Sequence, residues 1–280
     1  MQVRVLSPAV SRFTDCVIPT QSGRCFLALI PRYLRWLDNP VEAWIGRLVG
    51  GRSLQVFRMG GREILVDHSA ADLGSIGACR PDGAYGRLLK QSKVSNSPTV
   101  LDLGANIGGF PILLRLLGYE IAQLVSVELN PSTVRRLTWN ATAIVPSALV
   151  LNRALTADGR SVEVTLGKGS TSDSIYRERS GGVLQSVEGM TFDDAASLIE
   201  GPIDLCKIDV EHAEAEVLAS GSPAISSLER VRNLLIEIHP AKRLDEIVET
   251  IEAHGLRWCG CEHSDGRPAL GVNAFRRDEA

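Results

Sequence analysis

"VLDLGANIGGF", residues 100–110, runs from a short apolar stretch through an aspartate into a turn with glycine at 104, 108 and 109. So small a turn brings backbone close to a ligand, and the nature of that ligand decides both fold and function. No Gly-Lys-Ser/Thr follows, which removes the phosphate-binding loop of nucleotide hydrolases. The dinucleotide pattern G-x-G-x-x-G fails as well. Gly104-Ala105-Asn106-Ile107-Gly108-Gly109 has asparagine where a second glycine would admit a pyrophosphate to the backbone. Asp102 would repel a pyrophosphate but suits the ammonium of an amino acid. These points favour S-adenosylmethionine over NAD.

Moving outward, strands and helices alternate. "TVLDLG" (99–104) is a buried strand, 108–118 a helix, "AQLVSVEL" (122–129) a second strand and "PSTVRRLTWNATAI" (131–144) a helix opened by proline. "ALVLNRAL" (148–155) is a third strand and "SVEVTL" (161–166) extends the sheet. "TFDDAASLI" (191–199) is a helix, "IDLCKIDV" (203–210) a fourth strand and "AEAEVLASG" (213–221) its helix. "VRNLLIEIHP" (231–240) is a fifth strand and "RLDEIVETIEAHG" (243–255) an amphipathic helix. "LRWCGCEH" (256–263) and "GVNAFRR" (271–277) form a closing β pair. Such alternation specifies a mostly parallel sheet with helices on both faces, whose ligands bind beyond the carboxyl ends of the strands. Glu128 ends the second strand 24 positions after Gly104, near the ~20-residue gap at which an acid meets ribose hydroxyls.

Ahead of this region, 24–49 has two helices' worth of apolar spacing, interrupted at Asn39-Pro40. Residues 53–68 read as a hairpin around Gly60-Gly61, and 84–93 as a short helix. Residues 1–100 carry 13 Lys/Arg against 7 Asp/Glu, whereas the remainder carries 17 against 26. The basic excess reads as a solvated helix face, and the net charge of −3 gives no reason for nucleic acid. Six scattered cysteines form no C-x-x-C pair, which argues against a structural zinc and fits reduced thiols in the cytoplasm. The apolar piece "CFLALI" (25–30) is far short of the ~20 residues that a membrane span needs.

"VLDLGANIGGF", "VSVELNPS", "NRALTADG", "TFDD", "IDLCKIDVEHAEAEVLASG" and "LLIEIHP" occur in the order of FkbM-type S-adenosylmethionine-dependent methyltransferases, which this chain resembles over about residues 96–240. The resemblance implies a class I (Rossmann-like) methyltransferase domain at 96–280, preceded by a lead segment at 1–95 that forms part of the substrate wall. It implies methylation of a hydroxyl on a sugar, polyketide or similar natural product. It assigns Asp102, Gly104, Ala105, Asn106 and Gly108 to the first cofactor motif, Glu128 with Asn130 to ribose and adenine edges, and Asp209 with Glu211 to the motif after the fourth strand. The family generally has glycine where this chain has His212.

A hydroxyl nucleophile needs a base, worth roughly 10²–10⁴-fold. Candidates are Asp209, Glu211, His212, Glu237 and His239, all at the ends of strands four and five. His212 leads, because an unperturbed imidazole titrates near ~6.5 and Asp209 or Glu211 could fix its tautomer. Asp209, Glu211 and Glu237 are also the residues that would hold a divalent cation, a reading placed below direct base catalysis. Glu214 and Glu216 are taken as the solvent face of the following helix. The polar loop at 167–182 covers substrate or is a plain crossover capped by Ser172 or Asp173. The expected partner is a small-molecule acceptor, without nucleic acid or membrane, and self-association stays open. An amine acceptor, an NAD(P)-dependent oxidoreductase and a non-catalytic cofactor-binding scaffold are the competing readings.

Overall fold

A computed structural model describes residues 32–49, 53–70, 72–167, 174–175, 182–219, 223–239, 241–262 and 266–278. "CFLALI", Ser172 and Asp173 lie outside these residues. The lead segment contains a 3-10 turn (Arg32–Trp36), helix α1 (Pro40–Val49), hairpin strands β1 (Leu54–Met59) and β2 (Arg62–Asp67), and helices α2 (Asp72–Ala78) and α3 (Ala84–Leu89). Pro40 opens α1, where its fixed φ and missing N–H do no harm. The described end of the expected first helix is a 3-10 turn, and α2, with two glycines in seven residues, gave no periodic signal.

The main region runs β3 (Thr99–Leu103), α4 (Gly109–Leu116), β4 (Gln123–Glu128), α5 (Pro131–Ile144), β5 (Leu149–Asn152), β6 (Ala154–Leu155), β7 (Val162–Leu166), β8 (Val183–Val187), β9 (Gly189–Met190) and α6 (Phe192–Ser197). It continues with β10 (Leu205–Ile208), α7 (Glu214–Val217), β11 (Asn233–Ile238), α8 (Leu244–Ala253), β12 (Leu256–Cys261) and β13 (Gly271–Arg277). Seven strands form one sheet in the order β12-β13-β11-β10-β3-β4-β5. The five strands from β11 to β5 are mutually parallel, and β13 enters antiparallel between β11 and β12. Strand order reverses between β3 and β10, which opens a crevice at their carboxyl ends.

Two expectations are corrected. "SVEVTL" does not extend the sheet: β7 pairs with β8 in a separate antiparallel ribbon. "ALVLNRAL" is two strands, because β4 ends at Glu128, opposite Asn152, and the chain then turns to pair β6 with β9.

Side chains alternate across the sheet as its pleat requires. Val100 and Leu205 face a cluster shared with Phe110 and Leu113 of α4, and with Phe57, Val66 and Tyr85 of the lead segment. Leu101, Leu103, Cys206 and Ile208 face the other cluster, with Phe192, Ile247 and Phe275. The lead segment is tied down by more than apolar packing. The Arg136 guanidinium of α5 donates to both Asp72 oxygens at 2.7 and 2.9 Å, with the two side chains 7% and 2% exposed. Burial raises the Asp72 pKa despite this partner.

Removing Arg136 strands a buried carboxylate. Arg136→Met should cost about 3–5 kcal/mol, whereas Arg136→Met with Asp72→Leu should recover most of that loss. Urea unfolding of both variants measures it; equal destabilisation by the two would show that the pair is not what docks the segment.

Candidate functional site

The crevice holds a cavity of about 290 Å³. Gly104, Ala105 and Asn106 form its floor, Glu128 stands at one end, and Asp209, Glu211 and Glu237 stand at the other. The lead segment supplies a wall through Gly74, Ser75, Ala78 and Cys79 of α2 and Tyr85 of α3. Burial pushes the Cys79 thiol up to about 12, so it presents no thiolate.

Gly104 is glycine for a steric reason. Its φ is +75°, and a Cβ there would sit 1.8 Å from the Asp209 carbonyl oxygen. The turn also consumes its own amides. The N–H groups of Gly104 and Ala105 donate to Val127 O, and that of Asn106 to Glu128 Oε2 at 2.9 Å. The N–H of Ile107 donates to Asn106 Oδ1, and that of Gly108 to Ala105 O. A phosphate over residues 104–108 would find each of their amides already bound within the protein.

Glu128 is 8% exposed and is held by the backbone N–H groups of Asn106 and Asn130. Asn130 differs from its expected role. Its Oδ1 accepts from Ser132 N–H and caps α5, and its Nδ2 donates to Gly167 O, so it orients Glu128 rather than lining the cavity. Gly108 lies behind the floor as the N-cap of α4. Asp102 is also behind the floor, fully buried, with Lys207 Nζ 3.5 Å away. The ammonium it faces is the protein's own.

At the other end the acids have distinct partners. Asp209 lies 3.4 Å from Lys207 Nζ and accepts from the Tyr85 hydroxyl at 3.4 Å; Glu237 accepts from the same hydroxyl at 3.2 Å. Burial, then the Asp209 charge, pushes Glu211 up to about 7 and raises Glu237 as well. His239 Nδ1 lies 2.9 Å from Glu214, and its Nε2 faces Glu237 and Glu211 at 3.7 and 3.8 Å. Burial opposes the charge on His239, but the hydrogen bond to Glu214 and the surrounding carboxylates prevail and lift it to about 9. It is an imidazolium at neutral pH.

His212 is exposed, does not line the cavity, and has its ring centroid 5.2 Å from that of His239. Its φ is +76° and that of Glu211 is +49°, two consecutive residues in the left-handed region. Glycine would adopt this backbone without strain. Glu214 and Glu216 are not a solvent face. Helix α7 is a single turn wedged between loops, Glu214 is fully buried against His239, and the Glu216 side chain is 11% exposed and engages Arg160. Ligand atoms of Asp209, Glu211 and His239 come within 4.8 Å of one another, close enough for a divalent cation. His239 itself pairs with Glu211, Glu214 and Glu237.

Sequence reasoning missed Lys207 and Tyr85. Lys207 is the lone charge inside a buried strand, and that was its available signal.

The methyltransferase FkbM domain model matches residues 102–257. The chain belongs to this family. No curated protein matches it. Among solved structures, methyltransferase FkbM from Methylobacillus flagellatus KT is 16% identical at a TM-score of 0.46, with 85% of this chain and 60% of that one covered. The present chain therefore spans about 60% of that protein's length. Fibrillarin from Aeropyrum pernix, solved with bound S-adenosyl-L-methionine, is 14% identical at 0.40, covering 81% and 84%. A TehB-like SAM-dependent methyltransferase from Corynebacterium glutamicum is 15% identical at 0.37, covering 69% and 86%. The fold of this FkbM domain is that of a class I methyltransferase. Among the described residues, no helix is long and apolar enough to cross a membrane.

Two variants test the geometry. His212→Gly should relieve the left-handed strain and stabilise by about 1 kcal/mol; a lower melting temperature would mean that the imidazole supports the fold. His239 binds its proton more tightly folded than unfolded. Its contribution is therefore complete below about pH 6.5 and is lost as pH rises through about 9. Melting temperature should fall across that window, and His239→Gln should flatten the fall.

Proposed function

We propose that this chain is an S-adenosylmethionine-dependent O-methyltransferase acting on a hydroxyl of a small molecule such as a sugar, a polyketide or another natural product. The observation that carries the reading is the glycine turn, whose five amides from Gly104 to Gly108 are all bound within the protein. A dinucleotide would find no phosphate cradle there, which disfavours the oxidoreductase alternative. An adenosine cofactor without phosphates needs none. Glu128, fixed by two backbone N–H groups, would take the ribose hydroxyls at its end of the cavity.

When bound, the cofactor supplies a methyl group activated on a sulfonium. Methyl transfer is an in-line displacement, so positioning carries much of the catalysis. The hydroxyl proton passes to a carboxylate, and Glu211 suits that role better than His212. It lines the cavity and its pKa near 7 matches the working pH, whereas His212 lies off the cavity. His239, as an imidazolium beside Glu211 and Glu237, holds those acids in place. Tyr85 donates to Asp209 and Glu237 and closes the wall. The same acids suit an ammonium-bearing acceptor, so N-methylation is the second reading. A cytoplasmic location and a natural-product pathway belong to this proposal.

S-adenosylmethionine and its demethylated product should each raise the melting temperature, and NAD and ATP should not. Glu128→Ala should weaken cofactor binding on the order of tenfold or more, from lost charge-assisted hydrogen bonds. Binding should persist in EDTA. Calorimetry showing tight NAD binding and none of S-adenosylmethionine would overturn the reading.

A further inference from the structure

Lys207 lies on β10 directly beside Asp102 of β3 in the parallel register. Its side chain is 4% exposed. The ammonium donates to the Gly104 carbonyl at 2.9 Å and lies 3.5 Å from Asp102 Oδ1 and 3.4 Å from Asp209 Oδ2. The ammonium thus donates one hydrogen bond to a carbonyl and has a carboxylate at ion-pair distance on two further sides. The carbonyl opens the glycine turn, Asp102 stands behind that turn, and Asp209 stands at the acid end of the cavity. The ammonium also lies 5.9 Å over the Tyr85 ring. Burial opposes the charge on Lys207, yet Asp209 and Asp102 outweigh it and raise its pKa above the ordinary value.

Two roles are available to such a residue. It can neutralise Asp102, whose oxygens have no hydrogen-bond partner and whose charge would otherwise be buried alone. It can also fix the distance between the two loops that flank the crevice. The second role has a geometric signature. Gly104 and Asp209 abut so closely that a single Cβ would collide, and Lys207 touches both residues. Neutralising Asp102 alone would not require the bond to the Gly104 carbonyl.

We infer that Lys207 is a positioning residue that clamps the cofactor turn against the acid-bearing end of β10 and so sets the shape of the cofactor pocket. This rests on the methyltransferase reading. The clamp acts through backbone at Gly104 and through the carboxylate of Asp209, and Lys207 itself also reaches the lining of the cavity.

The two roles separate in a set of four proteins: wild type, Lys207→Met, Asp102→Asn and the double variant. Lys207→Met leaves Asp102 unpaired and should melt lowest or fail to fold. The double variant carries no lone buried charge, so its melting temperature should return towards wild type. Isothermal titration with S-adenosylmethionine and with S-adenosylhomocysteine then reads the clamp. The stability-matched double variant should bind both at least about tenfold more weakly than wild type, because a hydrogen bond from a charged group has been removed from the turn. Wild-type affinity in the double variant would overturn the clamp and leave Lys207 as a mere counter-ion. Failure of the wild type itself to bind either compound would overturn the methyltransferase reading, and the clamp with it.

Discussion

A single ammonium sits where two parallel strands end, and the geometry of the crevice depends on it. Charges inside a buried parallel strand are expensive, since neither face meets water. Here Asp102 and Lys207 interrupt two such strands at one register position and answer each other. Their side chains point to the face covered by the lead segment, which keeps water out and the attraction strong. Above them, the Gly104 turn and the Asp209 loop are pressed together with no room for a methyl group. The cavity exists because these two loops are fixed before any ligand arrives.

The acid end of that cavity is an electrostatic counterweight. Asp209 has Lys207, Glu237 has Tyr85, and Glu211 faces the His239 imidazolium at the longest of these distances. The acid with the least compensation is the one lifted to about 7. A carboxylate made basic in this way is a better proton acceptor than an imidazole held protonated by its neighbours.

Periodicity made the central sheet legible. Mostly apolar runs such as 124–127 and 234–236, separated by helices opened at Pro131 and Thr191, fixed the strand sequence and the crevice between β3 and β10. The cavity-lining positions Gly104 and Glu128 were legible for the same reason, because they follow directly from strand ends. What periodicity cannot report is lateral pairing. Val162–Leu166 reads as a sheet strand whichever partner it takes, and its partner, β8, lies beyond a polar loop. Nor does a strand-end motif say which way a side chain leaves a left-handed turn, and this is what removed His212 from the cavity. Tyr85 was hidden because nothing in its own short helix marks a residue that will reach 124 and 152 positions along the chain to meet two carboxylates.

The portion of this chain that defines its family begins at Asp102, yet part of the pocket wall lies upstream, on α2 and α3. The two parts therefore answer to different constraints. The half that carries the glycine turn is confined by close backbone contact and a buried charge pair. The wall is built of small residues and one phenol. Variation in the wall would reshape that side of the cavity while leaving the glycine turn opposite it in place. A fragment trimmed to the family's boundaries would also lose Asp72, leaving the Arg136 guanidinium without its carboxylate partner, and would uncover the face into which Lys207 points.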